Sequence, residues 1–348
     1  MTENLATRHS NERGAGEVLR VAVVIVSYRS AALTIDCLRS LQSERLHPAY
    51  QLNVVVVDNA SGDYPAIAES IAREGWGDWV TLVEAPRNGG FAYGNNVGFA
   101  HAVRCWNPHY LHMLNPDTRV KPGAVGALLA FLEHKPSAGI AGSSFENGDG
   151  SDWPIAFRFP TALSELESGL RLGLVSRLLR RWVVPRVMTS WSQPIDWCAG
   201  ASMMLRRSML DKIGGLDERF FLYYEETEFC WRARQAGFQT WYVPSSRVIH
   251  IAGQSTGLTE RGAAPKRLPD YLFESRRRYF LQTLGLRRAC VTDLLALAAG
   301  ALGAAKLVMQ GRRHEMVPGY LSSIWRHSVL RAKNRALAAP LTPQLPAA

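Results

Sequence analysis

Two unbroken apolar runs constrain this chain more than anything else in it. Val21–Tyr28 reads VAVVIVSY and Asn53–Asp58 reads NVVVVD. A strand with one wet face alternates apolar and polar residues. A continuous β-branched run has both faces covered, which is the condition of a parallel strand between helical layers. Between the runs, Leu33, Cys37, Leu38 and Leu41 recur at helical spacing within Ala31–Ser43. Strand, helix and strand make a right-handed βαβ unit, and such sheets bind ligands at the carboxyl ends of their strands. Asp58 stands at one of those ends, followed by Asn59-Ala60-Ser61-Gly62. It either contacts a ligand there or caps the following turn. The turn after the first strand, Ser27-Tyr28-Arg29-Ser30, lacks the glycines that a dinucleotide pyrophosphate requires.

Three further elements carry chemistry. Asn88-Gly89-Gly90-Phe91-Ala92-Tyr93-Gly94-Asn95-Asn96-Val97-Gly98 combines glycines, which permit close backbone approach to a ligand, with amides that both donate and accept. Tyr110–Leu114 is a short strand leading into Asn115-Pro116-Asp117. Hard divalent cations take oxygen ligands, so one or two carboxylates plus substrate phosphates suffice to hold one. In the third element, the aromatic run Phe220–Tyr224 leads into Glu225, Glu226 and Glu228, and a helix is predicted from Glu225 to Ala236, closed by Gly237. Glu225 and Glu226 then sit in its first turn, where the helix N-terminus is expected to favour the ionised carboxylate of a general base. His250 follows 24 residues after Glu226, placed to act beside a divalent metal.

FFLYYEETEFCWRARQAGF followed by VIHIAGQS resembles the acidic-pair segment and later histidine of family 2 glycosyltransferases, nearest to bacterial members that add L-rhamnose to lipid-linked glycans. The resemblance implies a GT-A-like, doubly wound, mainly parallel α/β sheet with a C-terminal helical extension. The family pair is Glu-Asp, so its catalytic base maps to Glu226, one methylene longer, with Glu225 beside it. VSY and DNASGD resemble the elements lining a sugar nucleotide, which implies roles for Ser27, Tyr28, Asp58 and Asn59, with Asp58 accepting the ring N–H of uracil or thymine. Asn88 and Asn95 match the family's asparagine–glycine element. N-P-D stands where the family has D-x-D, so Asp117 is implied to hold Mg²⁺ or Mn²⁺, together with His250. Trp197-Cys198-Ala199-Gly200-Ala201 resembles an acceptor element, implicating Trp197, Gly200 and Ala201. The implied reaction is an inverting transfer from dTDP-L-rhamnose to a polyprenyl-diphosphate-linked sugar in polysaccharide biosynthesis. UDP-galactofuranose or UDP-GlcNAc as donor, and a non-catalytic sugar-nucleotide or lipid-glycan binding protein, are the alternatives.

Charge divides the chain. From Arg261 onward 15 Lys/Arg face 4 Asp/Glu, so this segment carries more than the whole excess of +10. We therefore expect a disordered tail at 1–19, a nucleotide-sugar-binding and catalytic domain at 20–260, and a basic helical membrane-associating extension at 261–348. Its apolar run Leu294–Ala305 is shorter than the roughly 20 residues a spanning helix needs, so it is expected to lie in the interface of an anionic membrane. Leu163 to Trp182 reads as a basic amphipathic helix or helix pair, either packed with a solvated face or touching membrane or acceptor diphosphate. Ala336–Ala348, rich in Ala and Pro, is expected to be loose. The basic charge lacks a recognisable nucleic-acid module, so no nucleic-acid partner is expected. Five scattered cysteines without C-x-x-C point to a reducing compartment, here the cytoplasm at the inner face of the membrane.

Overall fold

The computed structural model describes residues 18–147, 151–250, 265–337 and 339–345. Residues 1–17 of the expected tail, the Gln254-Ser255-Thr256 segment and the domain boundary near Gly262 lie outside these. Both apolar runs are strands, β1 (Leu19–Ser27) and β2 (Tyr50–Asp58), parallel and joined by helix α1 (Ala31–Arg45). Their alternation explains the two-sided burial. Ala22 and Val24 face one apolar core, while Val21, Val23 and Ile25 face the other.

The sheet continues through β3 (Val80–Glu84), β4 (Tyr110–Leu114), β5 (Thr118–Val120), β6 (Ala138–Glu146), β11 (Ser202–Arg206) and β12 (Gln239–His250). Its order is β3-β2-β1-β4-β11-β6-β12-β5. Strands β3, β2, β1 and β4 run parallel, β6 pairs parallel with β12, and β11 inserts antiparallel between β4 and β6. Helices α1, α2 (Tyr64–Arg73) and α4 (Ala124–His134) cover one face; α3 (Gly90–Trp106), α7 (Arg207–Ile213) and α8 (Glu225–Gln235) cover the other. This is the doubly wound, mainly parallel architecture expected, with an antiparallel insertion.

Between β6 and β11 come the two-residue strand pair β8 (Ala156–Phe157) and β10 (Trp197–Cys198), and a helix pair, α5 (Ala162–Leu170) and α6 (Gly173–Leu178). Thr161 and Ser164 form a reciprocal capping box at the start of α5. Arg171, with φ +50°, turns the chain between the two helices.

The extension does more than the charge count suggests. Helix α9 (Asp270–Met309) is broken at Gly285, where φ is +74°. Its first half buries Tyr279 and Phe280 against Phe220 of the aromatic run. Its second half packs on α5, and a Cβ on Gly303 would collide with the Gly169 carbonyl oxygen. Leu294–Ala305 is thus part of a longer helix, one 18-residue window of which is apolar enough by length and composition to cross a membrane, and a third of that window is buried in the protein. Arg276 lies at the join, fully enclosed, donating to Glu165 of α5 at 2.7 Å and to Asp293 at 2.6 Å. Residues 339–345, expected to be loose, are held in place. Gly215 donates to the Pro343 carbonyl at 2.9 Å, Glu218 to that of Leu341 at 2.9 Å, and Leu345 packs into the main core. Apolar Leu345 and free backbone acceptors at the tail find complementary groups on the 214–218 loop, which an Ala/Pro composition does not reveal.

Candidate active site

A cleft of about 380 Å³ opens where β1, β2 and β4 end. Its walls come from two parts of the chain: Tyr28, Ser30, Asn59, Asn88, Phe91, Asn115 and Pro116 from segments that follow the strands, and Phe221, Leu222 and Tyr271 from the aromatic run and the extension. Of the residues expected at a nucleotide, Tyr28, Asn59 and Asn88 therefore face it. Asn88 Oδ1 accepts from Asn59 Nδ2 at 3.1 Å and from the Gly90 amide at 3.0 Å, while Asn59 Oδ1 is buried without a partner. Such an orphaned acceptor at a cleft wall is a natural place for a ligand donor.

Three expected residues stand back from the cleft. Asp58 is fully enclosed: its Oδ1 accepts from the amide and hydroxyl of Ser61, its Oδ2 from the Tyr64 amide at 3.2 Å. It closes its own turn and caps α2, the other role open to an aspartate at this strand end. Ser27 is likewise enclosed, with Oγ bonded to Ser30 Oγ at 3.2 Å and Thr34 Oγ1 at 3.0 Å. Asn95 turns inward on α3 and donates to the Phe91 carbonyl at 2.9 Å. The glycines differ from expectation in the same way. Gly90, at φ +84°, lies so close to Phe221 that a Cβ would strike its carbonyl oxygen, and the Phe91 amide donates to that oxygen at 2.9 Å. The close approach made there is to the opposite wall.

The acidic pair is built by strain and burial. Tyr223 and Tyr224 both adopt left-handed backbone, φ +69° and +67°, just before α8. Two bulky residues in that region cost about 1–3 kcal/mol each, so their surroundings must hold them there. Tyr224 packs on Tyr279 of α9, ring centroids 5.3 Å apart, and the Leu222 carbonyl accepts from Ser275 Oγ at 3.2 Å. The turn delivers Glu225 into the interior and Glu226 to its edge.

Helix-terminal stabilisation does not decide their protonation as the sequence suggested. Burial pushes the Glu226 carboxyl up to about 7, against backbone amides of Glu226, Gly200 and Thr227 that pull it down. Glu225 is pushed well above its usual range, first by burial and then by the Glu226 charge. Each keeps a buried Oε2 without a partner. Glu226 is thus poised near neutrality with a protonated neighbour, the arrangement that sets one carboxyl apart as a base. Glu228 is engaged elsewhere, on Arg232 at 2.7 Å, which also holds the carbonyls of Ile213 and Gly215.

Asp117, after β4, and His250, at the end of β12, converge with His250 Nε2 3.4 Å from Asp117 Oδ1. Phe145 and Trp153 pack on the imidazole, centroids 5.3 and 6.0 Å away. Asn115 Oδ1 and His250 Nδ1 are buried without a hydrogen-bond partner, and Asp117 Oδ1 has no hydrogen bond beyond this long approach of His250. Among the described residues no group of three or more His, Cys, Asp or Glu gathers at one point. An aspartate, an imidazole and an amide oxygen beside an open cleft suit a Mg²⁺- or Mn²⁺-sized ion that keeps phosphate and water ligands.

At the acceptor element, the Ala201 carbonyl accepts from the Asn115 amide at 2.9 Å, so the Gly200-Ala201 turn bridges the Glu226 and Asn115 regions. Trp197 is committed to its own hairpin: its indole donates to the Arg158 carbonyl at 2.9 Å, and its ring stacks on Phe157 at 4.3 Å. Tyr271 had no sequence signal. It comes from the extension and stacks with Phe221 and Tyr223, centroids 5.5 and 6.1 Å away.

Residues 22–214 match the family model described as Glycosyl transferase family 2, a span that ends before the acidic pair. A relative from Mycobacterium tuberculosis (strain ATCC 25618 / H37Rv), named N-acetylglucosaminyl-diphospho-decaprenol L-rhamnosyltransferase, is 32% identical over 160 residues, covering 44% of this chain and 50% of its own. Rhamnosyltransferase WbbL of Escherichia coli (strain K12) is 28% identical over 166 residues, 47% of this chain and 61% of its own. The chain thus spans about half to three-fifths of the length of these curated relatives. In fold it is similar to GalNAc-T7 solved with UDP, GalNAc and Mn²⁺, with TM-score 0.56 at 16% identity, covering 89% of this chain and 57% of that one. It is also similar to the mannosyltransferase PcManGT of Pyrobaculum calidifontis solved with GDP-Man and Mn²⁺, with TM-score 0.51 at 17% identity, covering 94% and 92%.

Proposed function

The chain belongs to glycosyl transferase family 2, and from that premise we propose that it is an inverting glycosyltransferase, moving L-rhamnose from dTDP-L-rhamnose to a lipid-linked glycan at the inner, anionic face of the cytoplasmic membrane. The rhamnosyltransferase names of both curated relatives and the decaprenol-linked acceptor in one of them support the donor and acceptor classes. The observation that carries the reading is a carboxylate poised near pH 7, tied through the Gly200-Ala201 turn to Asn115 at the cleft, next to which Asp117 and His250 converge.

In this scheme Tyr28, Asn59 and Asn88 hold the nucleoside end of the donor, and Asp117, His250 and Asn115 would hold the cation. A bound Mg²⁺ or Mn²⁺ supplies positive charge against the diphosphate. Glu226 Oε2 accepts the proton of the acceptor hydroxyl, while Glu225, protonated, keeps a second negative charge out of the site. Gly200 and Ala201, assigned to the acceptor, stand between the base and the cleft: Gly200 offers its amide to Glu226, and the Ala201 carbonyl accepts from the Asn115 amide.

The test is transfer from dTDP-L-rhamnose to a short polyprenyl-diphosphate GlcNAc analogue, with and without Glu226→Gln. Loss of the base lowers turnover about 10²–10⁴-fold while nucleotide affinity stays near that of the native chain. The native rate falls about tenfold per pH unit below about 7, because protonation of Glu226 removes the base, and levels off above it. Undiminished transfer by Glu226→Gln, or a flat profile from pH 5 to 8, excludes this assignment.

A further inference from the structure

The basic extension carries only part of the molecule's unpartnered apolar surface. Beyond Gly285, α9 is apolar on two opposite sides. Ala289, Ala296, Ala299 and Leu307 are buried in the protein, whereas Val291, Leu294, Leu302 and Met309 are 51%, 55%, 63% and 87% exposed. At 100° per residue these four fall within about 80° of one another, a single stripe roughly 27 Å long facing away from the packed side. A helix apolar on both sides is covered on both in its working state.

A second exposed apolar set lies in the α5–β11 insertion, outside the basic extension. Leu174 and Leu178, one turn apart on α6, are 72% and 71% exposed, and Trp191 beyond them is 66% exposed. The elements that carry the two sets are joined: the Arg171 carbonyl at the α5–α6 corner accepts from Lys306 Nζ, and Gly169 touches Gly303 backbone to backbone. Arg177, Arg180 and Arg181 are exposed around α6, and no acidic group among the described residues pairs with them.

We infer that α6 with its following segment to Trp191 and the outward stripe of α9 form one face that docks on an anionic lipid surface, with the helices lying in its plane. The inference deepens the lipid-linked acceptor reading and rests on it. Charge chooses the occupant. Unpaired arginines around exposed leucines match anionic headgroups over an acyl boundary. Two copies of the same face would bring those arginines against each other, an unfavourable like-charge contact. A spanning orientation would carry Asp293 and the α5 contacts into hydrocarbon, and Asp293 is already held by Arg276, Ser328 and the Val329 amide. Flat docking leaves all of these intact.

The experiment is co-sedimentation of the full chain with phosphatidylcholine vesicles, with and without phosphatidylglycerol. Variants are Leu174→Asp/Leu178→Asp, Leu302→Asp/Met309→Asp and Arg177→Glu/Arg180→Glu. The native chain sediments with the anionic vesicles, and each double variant lowers its partitioning at least about tenfold. Because all these positions are exposed, melting temperatures stay at the native value, so lost binding is not lost folding. Native-level sedimentation of the Leu174/Leu178 variant overturns the inference, as does equal binding to neutral vesicles. A native dimer in light scattering that these variants dissolve would assign the face to a second copy instead. Hydrolysis of dTDP-L-rhamnose in water separates the two readings. Variants that still hydrolyse it but no longer sediment support both, and a native chain that sediments without any transferase or hydrolase activity keeps this face and removes the glycosyltransferase.

Discussion

The two walls of the cleft are held in different ways. The wall of Tyr28, Ser30 and Asn59 is stabilised by hydrogen bonds among the strand-end loops: Ser61 and Tyr64 donate to Asp58, the Ser30 amide to Asp63 Oδ2 at 2.7 Å, and Asn59 Nδ2 to Asn88 Oδ1 at 3.1 Å. The wall of Phe221, Leu222 and Tyr271 unites segments about fifty residues apart, backed by Phe220, Tyr279 and the Arg276 join. The first wall depends on hydrogen bonds between loops that the parallel strands already hold side by side, so it survives as long as the sheet does. The second depends on long-range packing and a buried ion network, so it is the wall that damage elsewhere can remove. The acidic pair follows directly on the aromatic run of the second.

The strongest way to break the comparison is Arg276→Met. Removing the guanidinium leaves Glu165 and Asp293 buried with one fewer cation between them, and breaking a buried pair in this way costs about 3–5 kcal/mol. Urea unfolding should show that loss, with Tyr279 and Phe280 fluorescence-accessible before the sheet melts. A loss below about 1 kcal/mol would mean the join carries no load, and the two walls would not differ. A smaller effect is expected from deleting residues 339–348. That removes the hydrogen bonds to Gly215, Glu218 and Asp217 and the Leu345 contact, about 2 kcal/mol together. A thermal melt of the shortened chain at the native midpoint would restore the loose tail that the composition suggested.

How far the sequence could be read follows the same division. The βαβ start, the helix at Glu225, the Asp117–His250 convergence and the family were legible, because each rests on local periodicity or on motifs in chain order. The role of Asp58 was not decidable, since a turn-capping and a ligand-binding aspartate occupy the same strand end. Ser27 and Asn95 sat in the right motifs and point away from the cleft, because a motif fixes a backbone site and leaves side-chain direction to the packing. Glu226 lies in the first turn of the expected helix, but its environment differs from expectation: the first turn of a helix favours charge, and burial outweighs it. The helices of the extension were anticipated from composition, whereas Tyr271 and the returning tail depend on what they touch across more than a hundred residues or a long loop.

Tyr271 sharpens the comparison most finely. It is the residue of the extension that lines the cleft, and it stacks on two members of the aromatic run without bonding to the sheet half. Tyr271→Ala therefore removes one wall contact while leaving the Arg276 join, Glu226 and the Asp117–His250 couple in place. An aromatic pair adds about 0.5–1.5 kcal/mol beyond area burial. Its loss should weaken binding of dTDP with Mg²⁺ about three- to tenfold in calorimetry. Tyr271→Phe should restore it, because stacking and not the hydroxyl is the contact argued here. Unchanged affinity in Tyr271→Ala would confine donor binding to the first wall, and the extension would then serve the base and the lipid face alone. Loss in both variants would instead assign the contact to the hydroxyl, which is neutral and free to donate near pH 7.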